Sequence, residues 1–583
     1  MLRFEDQWVE IGRISDVDET KTNEFRIWNM TSPTIARKSP LPYIALLTGS
    51  AFISISACAK RETAVDEGLR TRTLLVGNGA EPGDLDPHLA SVLSDQVVVN
   101  TLFEGLTLLD EQTTQPLPAV AESWSASADA LVWTFRLRDG LQWSNGDPLV
   151  ADDFLQSWRR ALNPDFAADN AGYLLVLKNA EAYSTRKLSD TTQPGLSAVE
   201  RLGAAAPDAR TLVLTLERPT PYLPALVSLP AWFPVNPRSL DKFGAMTKRG
   251  TAWTRPGNLV SNGSFTLAEW KPNARIVLVK NPRHREAATN RLERVIFFPT
   301  ENPDVEERDF RAGQLHVTWN LPVTKLATWR RDHPAALRAD PIQQINFLRF
   351  NTTRPPLNDP RVRRALSLAI DRVAFAKSVL QGSREPATAI TPPGTGGYTA
   401  RAAVTTDLEE AKKLLAAAGF PGGQGLPAID IQCRNDEIMP RLAEALQAAW
   451  RRDLGVRTTI SQVEQKTWIQ NQQTLNYGIS TAAWTADFPD PVTFLGLFTA
   501  DSSYNWTGWK SPEFEKLMDS AATTSDAKQR HEILQQAEAL LLQEAPVSPI
   551  YFGAQTFLIH PAVKGWTPAP LVFRRFQIVQ LEN

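Results

Sequence analysis

From residue 131 to residue 162 the chain reads LVWTFRLRDGLQWSNGDPLVADDFLQSWRRAL, and the spacing of its apolar positions changes partway along. Residues 132–137 alternate apolar and polar, the period of a half-buried strand. Asp139-Gly140 and Asn145-Gly146-Asp147-Pro148 then signal turns, because Gly and Asn tolerate positive φ and Pro presets φ. Asp152 and Asp153 stand where a helix opens and negative charge meets free N–H groups. Further strands are predicted at 73–76, 211–217, 276–280 and 294–298, and residues 260–270 read as a turn at Asn262-Gly263 followed by a strand. Residues 219–237 contain too much proline for a helix or a central strand.

The second half is more helical. In PRVRRALSLAIDR, residues 360–372, apolar side chains fall at Val362, Ala365, Leu366, Ala369 and Ile370, the stripe of an amphipathic helix started by Asp359-Pro360. Thr406-Asp407-Leu408-Glu409 reads as a capping box, and Gly419 closes the helix that it opens. Residues 439–453 and 526–544 give two more helices.

Composition narrows the possibilities. At 583 residues the chain is too long for one core, so two or three domains are expected. Its 43% apolar and 22% charged residues are those of a soluble globular protein, and a net charge of −2 gives no electrostatic case for nucleic acid. The 17 Trp residues offer broad faces that either pack cores or sandwich a ligand. The six His residues show no metal-ligand spacing, and no cofactor is expected.

Residues 41–57, LPYIALLTGSAFISISA, follow Arg37 and Lys38 and are too short and interrupted for a membrane span of about 20 residues. They fit a secretory signal. Residues 1–29 are polar and acidic, unlike a signal's basic start, so Met30 is the expected true start, and residues 1–57 are expected to be absent from the working protein. Residues 58–72 lack a core pattern and read as a flexible tether.

Several separated motifs now align in order: Ile55-Ser56-Ala57-Cys58, LDPH at 85–88, LFEGL at 102–106, PAVAESW at 118–124, the WTFRLRDGLQW stretch, LNDPRVRRAL at 357–366, EEAKKLLAAAGF at 409–420 and AAWTADFPDP at 482–491. The first resembles a lipobox. Cleavage would then leave lipid on Cys58, anchoring the protein without spanning the membrane, and Cys433 as a lone thiol; a plain signal peptide with an incidental Cys is the alternative. The remaining motifs resemble the extracytoplasmic oligopeptide-binding proteins of ABC importers, solute-binding protein family 5. The resemblance implies an α/β, periplasmic-binding-protein-like fold with two lobes, a hinge and an extra inserted domain. By analogy lobe I comprises residues 73–103, 237–343 and 555–583, the inserted domain 104–236, and lobe II 344–554. It also implies a monomer that binds an oligopeptide and passes it to membrane permease subunits.

By position in the same resemblance, Asp487 pairs with the peptide's α-ammonium and Trp484 walls the first side-chain pocket. Backbone groups at Ala483 and Thr485, and at Ser91, Val92 and Leu93, pair with the peptide main chain. The plainer alternatives are that Asp487 caps a turn before Pro489 and that Trp484 packs a core. The chain also departs from its relatives. Positions where they carry carboxylate-binding arginines match Gln472 and Thr481, an aromatic is replaced by Asn170, and Arg349 stands where an acid can occur. Arg349 is thus a candidate for the peptide's C-terminal carboxylate, alongside water or no partner at all. A relative binding a nickel chelate, haem or oligosaccharide is the runner-up. A Trp-rich glycosidase would need two carboxylates flanking a sugar bond; the adjacent acids Asp152/Asp153 and Glu409/Glu410 point apart on their helices, and no G-x-S-x-G, H-E-x-x-H or P-loop pattern occurs.

Overall fold

Strand Val132–Leu137 buries Trp133, Phe135 and Leu137 and leaves Val132 and Arg136 exposed, as its alternation requires. The computed structural model, which describes residues 62–185 and 202–582, places this strand inside an antiparallel sheet. The sheet order is Ala121–Ala126, Val132–Leu137, Thr211–Thr215, Ala204–Asp208. Helix Ala151–Ala161 adds Phe154, Leu155 and Trp158 to the same core. The paired acids divide their labour: Asp152 is exposed, while buried Asp153 accepts from Trp143 Nε1 at 3.0 Å and Val150 N at 3.1 Å. The two acids thus point apart, as adjacent positions on a helix do, and only Asp152 faces solvent.

A second core gathers distant segments. Strand Thr73–Gly77 pairs parallel with Arg294–Phe298, and Arg275–Lys280 and Phe265–Lys271 extend the sheet antiparallel. Helix Leu93–Leu102 packs Val97, Val98, Val99 and Leu102 there, with Phe557, Phe576 and Val579 from the end of the chain. The third core surrounds a five-stranded sheet ordered Thr458–Val463, Ile429–Arg434, Ile479–Thr485, Leu337–Phe350, Val547–Leu558. Helices Pro360–Leu368, Met439–Leu454 and Ala527–Glu544 cover it. Each large apolar side chain so enclosed contributes about 1.5–3 kcal/mol.

Three local expectations change. Residues 64–71 of the supposed tether form helix Ala64–Thr71, capped reciprocally by Thr63 and Asp66, with Val65 buried. One buried apolar side chain in so short a segment leaves too weak a pattern to read. The helix expected over 360–372 stops at Leu368 and restarts at Arg372, because Asp371 caps the second piece by accepting from Ala374 N at 2.9 Å. At the next helix Asp407, not Thr406, is the N-cap, accepting from Glu410 N at 3.0 Å; Thr406 Oγ1 donates to Ile370 O instead. Met1, Met30, the signal segment and Cys58 lie outside the described residues. Cys433 is a buried free thiol. Among the described residues no helix is long and apolar enough to cross a membrane.

Candidate ligand-binding site

Strand Ile479–Thr485 is paired unequally on its two sides. Toward Leu337–Phe350 it pairs along its whole length, Ile479 opposite Phe350 through Thr485 opposite Gln344. Toward Ile429–Arg434 it pairs only at Ile479 and Ser480. From Thr481 to Thr485, among the described residues, no strand pairs on that side. Backbone N–H and C=O groups on a bare strand edge invite another extended chain.

Asp487 follows two residues beyond the end of this edge. It faces a cavity of about 240 Å³ lined by Ser91, Leu93, Asn170, Tyr173, Thr485 and Phe573, among others. Two cores line the wall directly, helix Leu93–Leu102 brings Leu93 from the edge of the other, and Phe573 packs against the first two. The Tyr173 hydroxyl stands beside the Asp487 carboxylate, and Thr493 Oγ1 donates to Oδ2 at 3.3 Å. No cation pairs with Asp487 among the described residues. Burial outweighs the help of these two hydroxyls and pushes its pKa up to about 6. Burial first, and then the same carboxylate, drives the Tyr173 hydroxyl upward and keeps it protonated.

The loop holding Asp487 is clamped on both sides. Phe488 stacks on Tyr222 at 5.1 Å and 7° and enters the core built around strand Val132–Leu137. Asp490 takes two hydrogen bonds from Arg530, at 2.7 and 2.8 Å, and both side chains are buried. A carboxylate held this rigidly, with no counter-ion, is prepared for a cationic ligand.

The structure brings together Ser91, Leu93, Thr485 and Asp487 of the residues singled out from sequence. Ala483 lines a neighbouring cavity of about 380 Å³ on the same sheet face. Val92 is 54% exposed and lines neither cavity. Trp484 lies on the opposite face, opposite Ile345, with its ring 4.9 Å from Tyr504. Arg349 also lies on that face. It is 2% exposed, bonds Gln472 Oε1 at 2.6 Å, stands 4.7 Å from the Trp506 ring centre and lines neither cavity. Direct cross-strand pairing fixes this separation, since neighbours along a strand point to opposite faces. Asn170 does line the site and donates to Ala90 O at 2.8 Å. Tyr173 and Phe573 had no signal in the sequence, because Tyr173 sits in the four-residue 3-10 turn Ala171–Leu174 and Phe573 in irregular chain, and neither is long enough to show a period.

A cavity enclosed by three cores, one strand edge and a lone carboxylate defines a solute receptor. The family model "Bacterial extracellular solute-binding proteins, family 5 Middle" matches residues 115–506. The chain belongs to this family, and it is a binding protein rather than an enzyme. It is 33% identical to the periplasmic oligopeptide-binding protein OppA of Salmonella typhimurium, covering 88% of this chain and 93% of that one. It is 34% identical to the probable deoxycholate-binding periplasmic protein YgiS of Escherichia coli, covering 84% and 89%. The solved Escherichia coli murein tripeptide-binding protein MppA superposes with a TM-score of 0.72 at 31% identity, covering 87% of this chain and 98% of that one.

Proposed function

We propose that this chain is an oligopeptide receptor whose ligand lies as an added strand against Thr481–Thr485, with its α-ammonium on Asp487. The observation that supports this reading most is the coincidence of a bare strand edge with an uncompensated carboxylate just past its end. Main-chain hydrogen bonds contribute about 0.5–1.5 kcal/mol each and are blind to ligand side chains. The ammonium–carboxylate pair fixes the register. The names of OppA and MppA agree with a peptide ligand. A bile acid, suggested by the name of YgiS, is itself an anion and would meet repulsion at Asp487.

In the same reading the lobes close over the peptide by hinge motion and hand it to an ABC permease. A lipid on Cys58 holds the monomeric receptor at the membrane; the Ile55-Ser56-Ala57-Cys58 sequence supports that step. The test is calorimetric titration of penta-alanine and N-acetyl-penta-alanine into wild type and Asp487→Asn. Acetylation or the substitution should each weaken binding by about 3–5 kcal/mol. Equal affinity for the free and acetylated peptides would overturn the proposal.

A further inference from the structure

A third cavity, of about 660 Å³, adjoins strands Leu337–Phe350 and Val547–Leu558. Tyr551 stands opposite Asn346, and both line the 380 Å³ cavity beside the bare edge. Phe552 stands opposite Ile345 and lines the third cavity instead. Neighbours along a strand point to opposite faces, so the two cavities lie on opposite faces of this strand pair. Gln343 on one strand and Ala554 on the other follow the same alternation and join Phe552.

The wall of this cavity is apolar and stiff. Pro341, Pro386, Pro392, Pro393 and Pro570 line it together with Phe552. Proline has no N–H to offer and its ring fixes φ, so these residues present rigid hydrocarbon. The turn at 112–114, between strands Thr107–Leu109 and Pro116–Pro118, closes one side. Asp110 holds that turn by accepting from Gln112 N at 3.1 Å and Thr113 N at 2.8 Å. Among the described residues on the wall, only Arg384 and Glu385 are charged. Their signs are opposite, and Arg384 stands 6.0 Å from the Tyr551 ring, on the wall shared with the 380 Å³ cavity. The space therefore favours neither an anion nor a cation.

Gln343 supplies one fixed polar point. It is 6% exposed; its N donates to Pro570 O at 2.7 Å, and its O accepts from Ala486 N at 2.7 Å. The main chain is thus held on both sides. The side-chain Oε1 is buried with no hydrogen-bond partner among the described residues. Leaving a buried acceptor unpaired costs about 1–3 kcal/mol, which a donor on a ligand removes.

We propose that this cavity is a second binding site, for an uncharged ring compound that carries one N–H or O–H donor. Its volume lies within the range of about 300–1,000 Å³ of sites for drug-sized ligands, which are mostly apolar with a few placed polar groups. The donor meets Gln343 Oε1, and the rings lie among Phe552 and the prolines. The site needs neither a peptide nor Asp487, so it goes beyond the receptor reading above. Residues 570–573 form the partition: Pro570 lines this cavity, and Leu571 and Phe573 line that of Asp487.

The experiment titrates the uncharged dye N-phenyl-1-naphthylamine, which fluoresces in apolar surroundings, and its N-methyl derivative, which lacks the N–H. Wild type should bind the parent dye at one site, about threefold to tenfold more tightly than the N-methyl form. Gln343→Leu should erase that difference. Ala554→Trp, which fills the cavity from its strand, should weaken the parent dye by about tenfold or more, and Asp487→Asn should leave it unchanged. A cooperative melting transition shows that each variant is folded. Three results overturn the proposal in wild type or the two cavity variants: no saturable binding, equal binding of the two dyes in wild type, or undiminished binding in Ala554→Trp. A preference for the N–H form that survives in Gln343→Leu overturns it as well. Dye binding that falls with Asp487→Asn places the dye in the peptide cavity and has the same consequence. Failure of penta-alanine to bind sinks the peptide reading and leaves this site standing.

Discussion

Asp487 and Asp490 share one loop, yet their surroundings differ in kind. Asp490 is buried against Arg530 with two hydrogen bonds, and the pair ties the loop to helix Ala527–Glu544. Asp487 has hydroxyl donors, no cation and an open cavity in front of it. Arg349 extends the lesson from the other sign. It is a buried cation without a carboxylate, its pKa pushed down to about 10 by burial, yet Gln472 and the Trp506 ring enclose it. An unmatched buried charge marks a ligand site only where a cavity adjoins it.

The sharpest separation of the two aspartates is in stability. Asp490→Ala strands Arg530 in a buried site and should cost about 3–5 kcal/mol in chemical denaturation. Asp487→Asn, by contrast, removes an uncompensated carboxylate and should not lower the melting temperature of ligand-free protein at pH 7. Similar losses for both would erase the distinction between anchor and receptor.

Acidity gives the next largest effect. Ligand-free Asp487 takes up a proton near pH 6, above the ordinary carboxylate range, because burial disfavours its charge. Only the ionised form attracts an ammonium. Affinity for penta-alanine should therefore peak near pH 7, fall toward tenfold per unit below about pH 6, and fall again as the peptide's α-amino group, with an ordinary pKa of about 7.7–8.0, loses its proton. The same raised value makes Asp487 a source of ligand-free stability at low pH that is lost as pH rises through 6. In Asp487→Asn the binding slope over this range should vanish; a slope that persists assigns the titration to another group.

The smallest effect concerns the stacked clamp. Tyr222→Leu removes the ring beneath Phe488 and the one near Arg530, and should cost about 0.5–1.5 kcal/mol of stability beyond the area lost. Penta-alanine affinity should fall only as far as the Asp487 loop loosens. A loss of affinity as large as that of Asp487→Asn would make Phe488 part of the recognition surface.

The sequence by itself determined elements whose signals are local. The alternation at 132–137, the Asp359-Pro360 helix start and Gly419 past a helix end all follow from the chain's own period and backbone preferences. The motif around Asp487 was legible only through its resemblance to a family, as a short string of residues. Tertiary structure alone decided which charges meet and which cavity they face. The strand edge at Thr481–Thr485 is bare because another strand ends its pairing at Ser480. Tyr173 reaches Asp487 from a separate core, and Arg349 turns away because strand neighbours point to opposite faces. Distance along the chain carries no information about such meetings. Burial and pairing arise only when the three cores close around one space.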